Sequence, residues 1–204
     1  MSEVLGESEW VLCSLNGTVE ESSLIYASRN LVDRVNTPFE QLIPCALISS
    51  GDRYLSYSRQ GSEKGLLGKK SLLIGGHVSL EDKASCLRGD VWSVFTLALR
   101  RELKEELGLE SSLDFSLPDL EFLILKTHSN EVDERHKGFM IQVELTPEEK
   151  ASLVFSSELF KPEWLSLEEI LADIASYESW GQELLHAWFR DHYEETLDEE
   201  ALDE

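Results

Sequence analysis

The stretch "VWSVFTLALRRELKEEL", residues 91–107, constrains the fold more than any other. Its length and composition predict a helix. Asp90 stands where a side-chain oxygen caps the first turn, and Gly108 where a left-handed residue ends the last. On both sides of it the pattern changes to that of strands. Before it, "LIPCALISS" is an apolar run of strand length, and "RYLSYSRQ" alternates with period two. The "SGD" between them reads as a hairpin turn, and "KKSLLIGGHV" as another strand ending at two glycines. After it, "LEFLILKTH" and "FMIQVEL" read as strands joined by the charged loop "SNEVDERHKG". "PEEKASL" then predicts a short helix, "EWLS" a short strand, and "LEEILADIAS" and "GQELLHAWFRDHYEE" amphipathic helices. Near the N-terminus "WVLCSL" suits a strand and "SLIYASRNLVDRV" a short helix, while the polar segment from Ser79 to Asp90 has no assigned element. Strands before and after one central helix, with helices at the end, predict an α/β protein with a mixed sheet covered by helices.

The 204 residues suit one domain with extensions, and 42% hydrophobic content is enough to bury a core. A net charge of −22 repels phosphate backbones and anionic lipid, so neither nucleic acid nor membrane is an expected partner. Seven acids and no base fill "EETLDEEALDE" at the C-terminus, which predicts a flexible, solubilising tail over residues 193–204. Cys13, Cys45 and Cys86 are scattered with no CxxC, and "MSEVLGESEW" has no apolar signal region. Together these predict a cytoplasmic protein.

Three carboxylates share one sector of the central helix. At about 100° per residue, Glu106 lies roughly 40° to one side of Glu102 and Glu105 about 60° to the other. Leu99, Leu103 and Leu107 form the adjoining apolar stripe. Carboxylates at the edge of a packed face can converge on a hard cation. The same pattern alone also suits a solvated Glu/Lys surface. Neither Glu102, Glu105 nor Glu106 has a base three or four residues further on, and three like charges in one turn repel unless a cation neutralises them.

"RELKEELGL", Arg101 to Leu109, resembles the second half of the Nudix box, G-x5-E-x7-R-E-U-x-E-E-x-G-U, where U is a bulky aliphatic residue. Arg101, Glu102, Leu103, Glu105, Glu106, Gly108 and Leu109 fill every specified position from the arginine onward. Upstream, "IGGHV" is similar to the strand end and glycine turn that open the box, with Gly76 at its first glycine. The likeness extends over roughly Gln41 to Phe189, and "EWLSLEEIL" is similar to the closing strand and helix of many Nudix domains. One departure is plain: Gly76 to Arg101 is 25 positions where the pattern has 14, so eleven residues are inserted. Counting from Gly76 puts the first box glutamate on Asp82.

The resemblance implies a Nudix-type α/β/α sandwich with a mixed sheet and a catalytic helix. Residues 1–40 would be an extension packed on a domain spanning 41–192. It also implies hydrolysis of a phosphoanhydride bond in a nucleoside diphosphate linked to another moiety, or in a related organic pyrophosphate, with Mg²⁺ or Mn²⁺ as cofactor. Glu102, Glu105 and Glu106 would be the metal ligands, and Arg101, Glu102 and Glu105 the catalytic group, with Arg101 bracing the loop and orienting a glutamate. A small phosphate-containing molecule is the expected substrate, and a homodimer is an arrangement many relatives adopt.

Two further features bear on the site. The loop "KTHSNEVDERHKG" holds His128, Glu131, Asp133, Glu134 and His136, with Glu131 the candidate for a base or extra ligand beside Asp82. Gly51 to Lys70 carries five bases against two acids, and Arg59, at a strand end, is its candidate for binding substrate together with Gly76. Two rival readings stand beside the hydrolase. An isopentenyl-diphosphate-type isomerase shares the fold but needs a cysteine before the "GH" turn, where this chain has Ile74, Gly75 and Gly76. A binding or regulatory module would keep the fold without turnover and has no need of three metal carboxylates.

Overall fold

The computed structural model describes residues 9–15, 24–33, 38–59, 68–87, 90–109 and 123–187. Its centre is the long strand β3 (Phe39–Ser50). Along one edge β3 pairs in parallel with β8 (His136–Glu144) from Gln41↔His136 to Ser49↔Glu144. Its other pairings are antiparallel: β1 (Trp10–Leu15) at residues 39–41, β6 (Leu73–Gly75) at 45–47 and β4 (Arg53–Arg59) at 49–50. β2 (Leu24–Ser28) extends the sheet beyond β1, β7 (Leu123–Leu125) beyond β8, and β5 (Lys70–Ser71) and β9 (Leu159–Leu165) pair with β4. The sheet is therefore mixed, as the sequence predicts.

Both faces of this sheet are buried, and strand alternation divides them. Leu42, Ala46 and Ile48 of β3, with Phe139, Ile141 and Val143 of β8, face α3 (Val91–Leu107) and its Phe95, Leu99, Leu103 and Leu107. Cys45, Leu47 and Met140 face the other way, toward Ile170 of α6 (Leu167–Ala172) and Leu184 and Leu185 of α7, the helical residues 179–187. The result is three layers, helix on sheet on helix. Among the described residues, no helix is long and apolar enough to cross a membrane.

α3 has the limits its caps encode. The Asp90 side chain accepts from the Ser93 amide, and Gly108 ends the helix at φ 66°. The last turn is finished from outside, where the amides of Val154 and Ser156 donate to the carbonyls of Leu107 and Glu106. That contact fixes the end of α3 that carries the glutamates.

Four local readings of the sequence are corrected. "SLIYASRNLVDRV" is not one helix: Leu24–Ser28 is strand, because Ile25 and Tyr26 suit a pleated sheet and β1 offers a partner, and only α1 (Arg29–Val32) is helical. "KKSLLIGGHV" breaks at Leu72, where the chain leaves β4 as its partner and joins β3. The Ser71 hydroxyl holds that corner by accepting from the Leu73 amide at 3.2 Å. The lengthened box loop folds as α2 (Leu80–Ser85), started by a capping box between Ser79 and Asp82. The charged loop after β7 contains α4 (Glu131–Arg135), capped by Asn130, and runs straight into β8. The helix predicted from "PEEKASL" is α5 (Pro147–Ser152), and a short 3-10 turn (Ile174–Ser176) follows α6.

The first forty residues supply β1 and β2 to the same sheet, and β3 begins at Phe39, so the sheet runs across the expected boundary at residue 41. The acidic tail and Lys64 lie outside the described residues.

Candidate functional site

Gly75 and Gly76 place the box turn against the sheet. A Cβ on Gly75 would stand 2.3 Å from the Pro44 carbonyl oxygen, so the backbones meet too closely for any side chain. A Cβ on Gly76 would stand 2.3 Å from the Glu102 carboxylate. The space a side chain would take at Gly76 is where the glutamate lies.

Arg101 organises the turn. Its Nε donates to Asp82 Oδ1 at 3.0 Å, and Nη2 donates to Asp82 Oδ2 at 3.1 Å and to the His77 carbonyl at 2.9 Å. Its Nη1 donates to Glu102 at 2.7 Å and Glu105 at 3.2 Å. Asp82, the candidate base or ligand at the first box position, spends its carboxylate on Arg101 and on the Ser79 amide and hydroxyl. With 5% of its surface exposed, Asp82 anchors α2 to α3 and is absent from the wall of the cavity described next.

A cavity of about 720 Å³ opens beside these groups. Arg101, Glu102, Glu105 and Glu106 line it from α3, with Gly75, Gly76 and His77 from the box turn. Burial, followed by the Glu102 charge, pushes the Glu106 carboxyl up to about 8. Burial likewise raises Glu102, against the pull of Arg101. Two neighbouring carboxyls are thus held where their charged forms are disfavoured, the condition a bound cation relieves. Glu105 is more exposed and leans on Arg101. Among the described residues no three carboxylate, imidazole or thiol groups already stand at metal-ligand spacing, because the guanidinium occupies the place between Glu102 and Glu105. The donors nevertheless fit a hard divalent ion: all are carboxylate oxygens on adjacent turns, and Glu105 can swing away from Arg101.

Arg59 also reaches the cavity, at the end of β4, with its Nε 3.4 Å from Glu178, a residue buried to 6% exposure. The other described bases of its stretch serve the surface: Arg53 pairs with Glu169, Lys70 with Asp173, and Lys69 donates to the Ala175 carbonyl. Glu131, the candidate from the charged loop, is exposed on α4 and is not in the cavity wall, nor is His128. The same loop instead supplies Asp133 and His136.

Sequence reasoning did not single out Tyr57, Glu158, Glu178, Trp180, Glu9 or Arg29, which also line the wall, as does Glu81 of α2. They come from strands and helices far apart in the chain and carry no local signature. His77 is kept neutral, since burial and then the nearby Arg29 push its imidazole down to about 3. Its Nε2 lies 3.4 Å from His136 Nε2, and His136 Nδ1 donates to the Val132 carbonyl at 2.6 Å.

No sequence-family model matches the chain, and no curated protein matches it. Solved structures do. Tm1382, described as a candidate Nudix hydrolase, superposes with a TM-score of 0.64 at 24% identity, covering 89% of this chain and 99% of that one. A bifunctional NMN adenylyltransferase/ADP ribose pyrophosphatase from Francisella tularensis, complexed with AMP and Mn ion, gives 0.51 at 15% identity over 80% of this chain and 44% of the other. The Nudix domain of Shewanella oneidensis NrtR, complexed with ADP ribose, gives 0.50 at 13% identity over 76% and 88%. Three layers on a mixed sheet, the glycine turn against α3 and these superpositions lead to one conclusion: the chain has the Nudix fold.

Proposed function

We propose that this protein is a divalent-metal-dependent hydrolase of a phosphoanhydride bond in a nucleoside diphosphate linked to another moiety, or in a related organic pyrophosphate. One observation carries the reading: Glu102, Glu105 and Glu106 of α3 converge on the wall of one large cavity, with the Glu102 carboxylate, partly buried, in the space a side chain at Gly76 would fill. Such an arrangement costs stability without a cation, whereas a solvated glutamate face costs nothing.

Glu102, Glu105 and Glu106 would hold Mg²⁺ or Mn²⁺. The ion, when bound, would withdraw charge from the phosphoryl oxygens and so lower the barrier to attack by water. Arg101 fixes Glu102 toward the cavity and braces the box turn through Asp82 and the His77 carbonyl. It acts through the glutamate and is a positioning residue. Arg59, braced by Glu178, is the substrate-facing cation of the proposed phosphate end. Gly76 keeps the turn close enough to α3 for Glu102 to occupy the space beneath it. Neighbours of the same fold crystallised with AMP and with ADP ribose support a nucleotide as the occupant.

The test is release of nucleoside monophosphate or phosphate from nucleotide sugars, dinucleoside polyphosphates and NADH, with and without Mg²⁺ or Mn²⁺. Turnover of at least one compound that requires the metal and vanishes in Glu106→Gln supports the reading. No turnover of any compound, in wild type as in the variant, would sink it. The Arg101 bridge between Glu102 and Glu105 favours a second reading, a ligand-binding module, which predicts nucleotide binding without metal-dependent turnover.

A further inference from the structure

Asp133 sits in the cavity wall on α4, and only 4% of it is exposed. Three donors converge on one carboxyl oxygen, Oδ2: Thr127 Oγ1 at 2.7 Å, Asn130 Nδ2 at 2.9 Å and Ser179 Oγ at 2.6 Å. Asn130 is itself fixed, because its Oδ1 accepts from the Val132 and Asp133 amides. No donor among the described residues is bonded to the other oxygen, Oδ1. Turning the carboxyl would break three hydrogen bonds at once, so Oδ1 is an acceptor held in place before any ligand arrives. Oδ1 itself is not sealed off, so it is open to a donor that a ligand brings into the cavity.

The surroundings separate Asp133 from the glutamates of α3. Ser179 ties it to the start of α7, and the next residue, Trp180, lines the same cavity. The Trp180 ring packs on Gly138, where a Cβ would come within 2.8 Å of it, and its indole N–H is buried with no acceptor among the described residues. This wall offers a flat aromatic group and a fixed acceptor.

We propose that Asp133 Oδ1 is a specificity-determining acceptor for an N–H or O–H on the nucleoside part of the substrate, beyond the phosphates. The inference rests on the hydrolase reading for the word substrate, but the hydrogen bond itself needs no turnover. A fixed acceptor favours a ligand that places a donor there and rejects one that places a carbonyl, since two lone pairs then meet.

The probes are nucleoside monophosphates, titrated by calorimetry with Mg²⁺ present. AMP against IMP, and CMP against UMP, exchange an exocyclic amino group for a carbonyl and the adjoining ring acceptor for an N–H, so the preferred member shows which position carries the donor; AMP against 2′-deoxy-AMP removes a sugar hydroxyl. In at least one pair the member lacking the donor should bind on the order of 10-fold more weakly or worse. The first two pairs place the donor on the base and the third places it on the sugar. Asp133→Asn should level or invert that ratio, because the three donors keep the amide oxygen in the Oδ2 position and turn the NH₂ toward the cavity. Equal binding in all pairs, no binding of any probe, or a preference unchanged in Asp133→Asn would overturn the proposal. So would loss of all turnover in Asp133→Asn with binding ratios intact, since Asp133 would then serve the reaction itself. If Asp133→Asn does not fold, the wild-type pairs decide alone. Wild-type protein that discriminates among the monophosphates but hydrolyses nothing would sink the hydrolase reading and leave this one standing.

Discussion

The cavity has two acidic walls built on opposite principles. On α3, Glu102 crowds Glu106, burial disfavours the charge of both, and Arg101 bonds Glu102 but not Glu106. On α4, Asp133 is more deeply buried, yet three donors satisfy one of its oxygens and hold the group still. Burial alone therefore does not say what a carboxyl is for. Where neighbours leave the charge uncompensated, the site is suited to a cation; where they supply hydrogen bonds, it is suited to reading a shape.

The strongest way to break this contrast is at α3. Glu106→Gln should lower phosphoanhydride hydrolysis by on the order of 10³-fold, as expected when a charge poised for the transition state is removed. The same change should leave the thermal stability of the metal-free protein equal or higher, because a disfavoured charge goes with it. A drop in melting temperature alongside retained hydrolysis would mean that Glu106 is structural.

Arg101→Met ranks next. It strands Asp82, 5% exposed, without its ion pair. A fully buried pair broken this way costs about 3–5 kcal/mol. Because Arg101 is itself about a third exposed, roughly 2–4 kcal/mol is expected from denaturant unfolding.

The contrast also predicts a pH signature. The unfolded chain gives up the Glu106 proton near the ordinary carboxyl range, whereas the folded protein keeps it to about 8. From about pH 6.5 to 8 the folded state binds more protons, so metal-free stability should fall as pH rises. Between about 4.5 and 6.5 the slope levels, because the proton unfolded His77 takes up, which the folded residue refuses down to about 3, offsets the one folded Glu106 keeps; the sign reverses only below about 4.5. Saturating Mg²⁺ should abolish the alkaline decline and add about 2.7 kcal/mol at a hundredfold excess over its dissociation constant. Melting curves across pH with and without Mg²⁺ check both slopes.

Gly76→Ala sharpens the comparison more gently. Its methyl would displace the Glu102 carboxylate, which a side-chain rotation can accommodate, so a loss of roughly 10–100-fold in turnover with little loss of stability is expected. Arg53→Ala, which removes an exposed pair with Glu169, should change stability by less than about 1 kcal/mol and turnover not at all.

The α3 wall was legible in the sequence. Its caps, Asp90 and Gly108, act on immediate neighbours, and its period of apolar residues writes the packed face directly. The strands that face both layers were equally readable as unbroken apolar runs. α2 was written there too, as Ser79 three residues before Asp82, but a segment dense in polar residues reads as loop until that box is noticed. The α4 wall was not legible. Glu131 and Asp133 stand two residues apart in the same charged stretch, and nothing local says which one turns inward. Thr127 and Asn130 bond Asp133 once the turn has formed, and Ser179, 46 residues downstream, adds a bond only the folded chain can form. β2 was missed for a related reason: its strand character depends on a partner strand, and a short stretch with mixed periodicity does not declare one.

The most direct measurement is Mn²⁺ titration of the metal-free protein by calorimetry, comparing wild type with Glu106→Gln at pH 7.5. Binding by the wild type that weakens at least about 10-fold in the variant is the expected result. Equal affinity in the two proteins, or no binding by either, would contradict a cation site on α3.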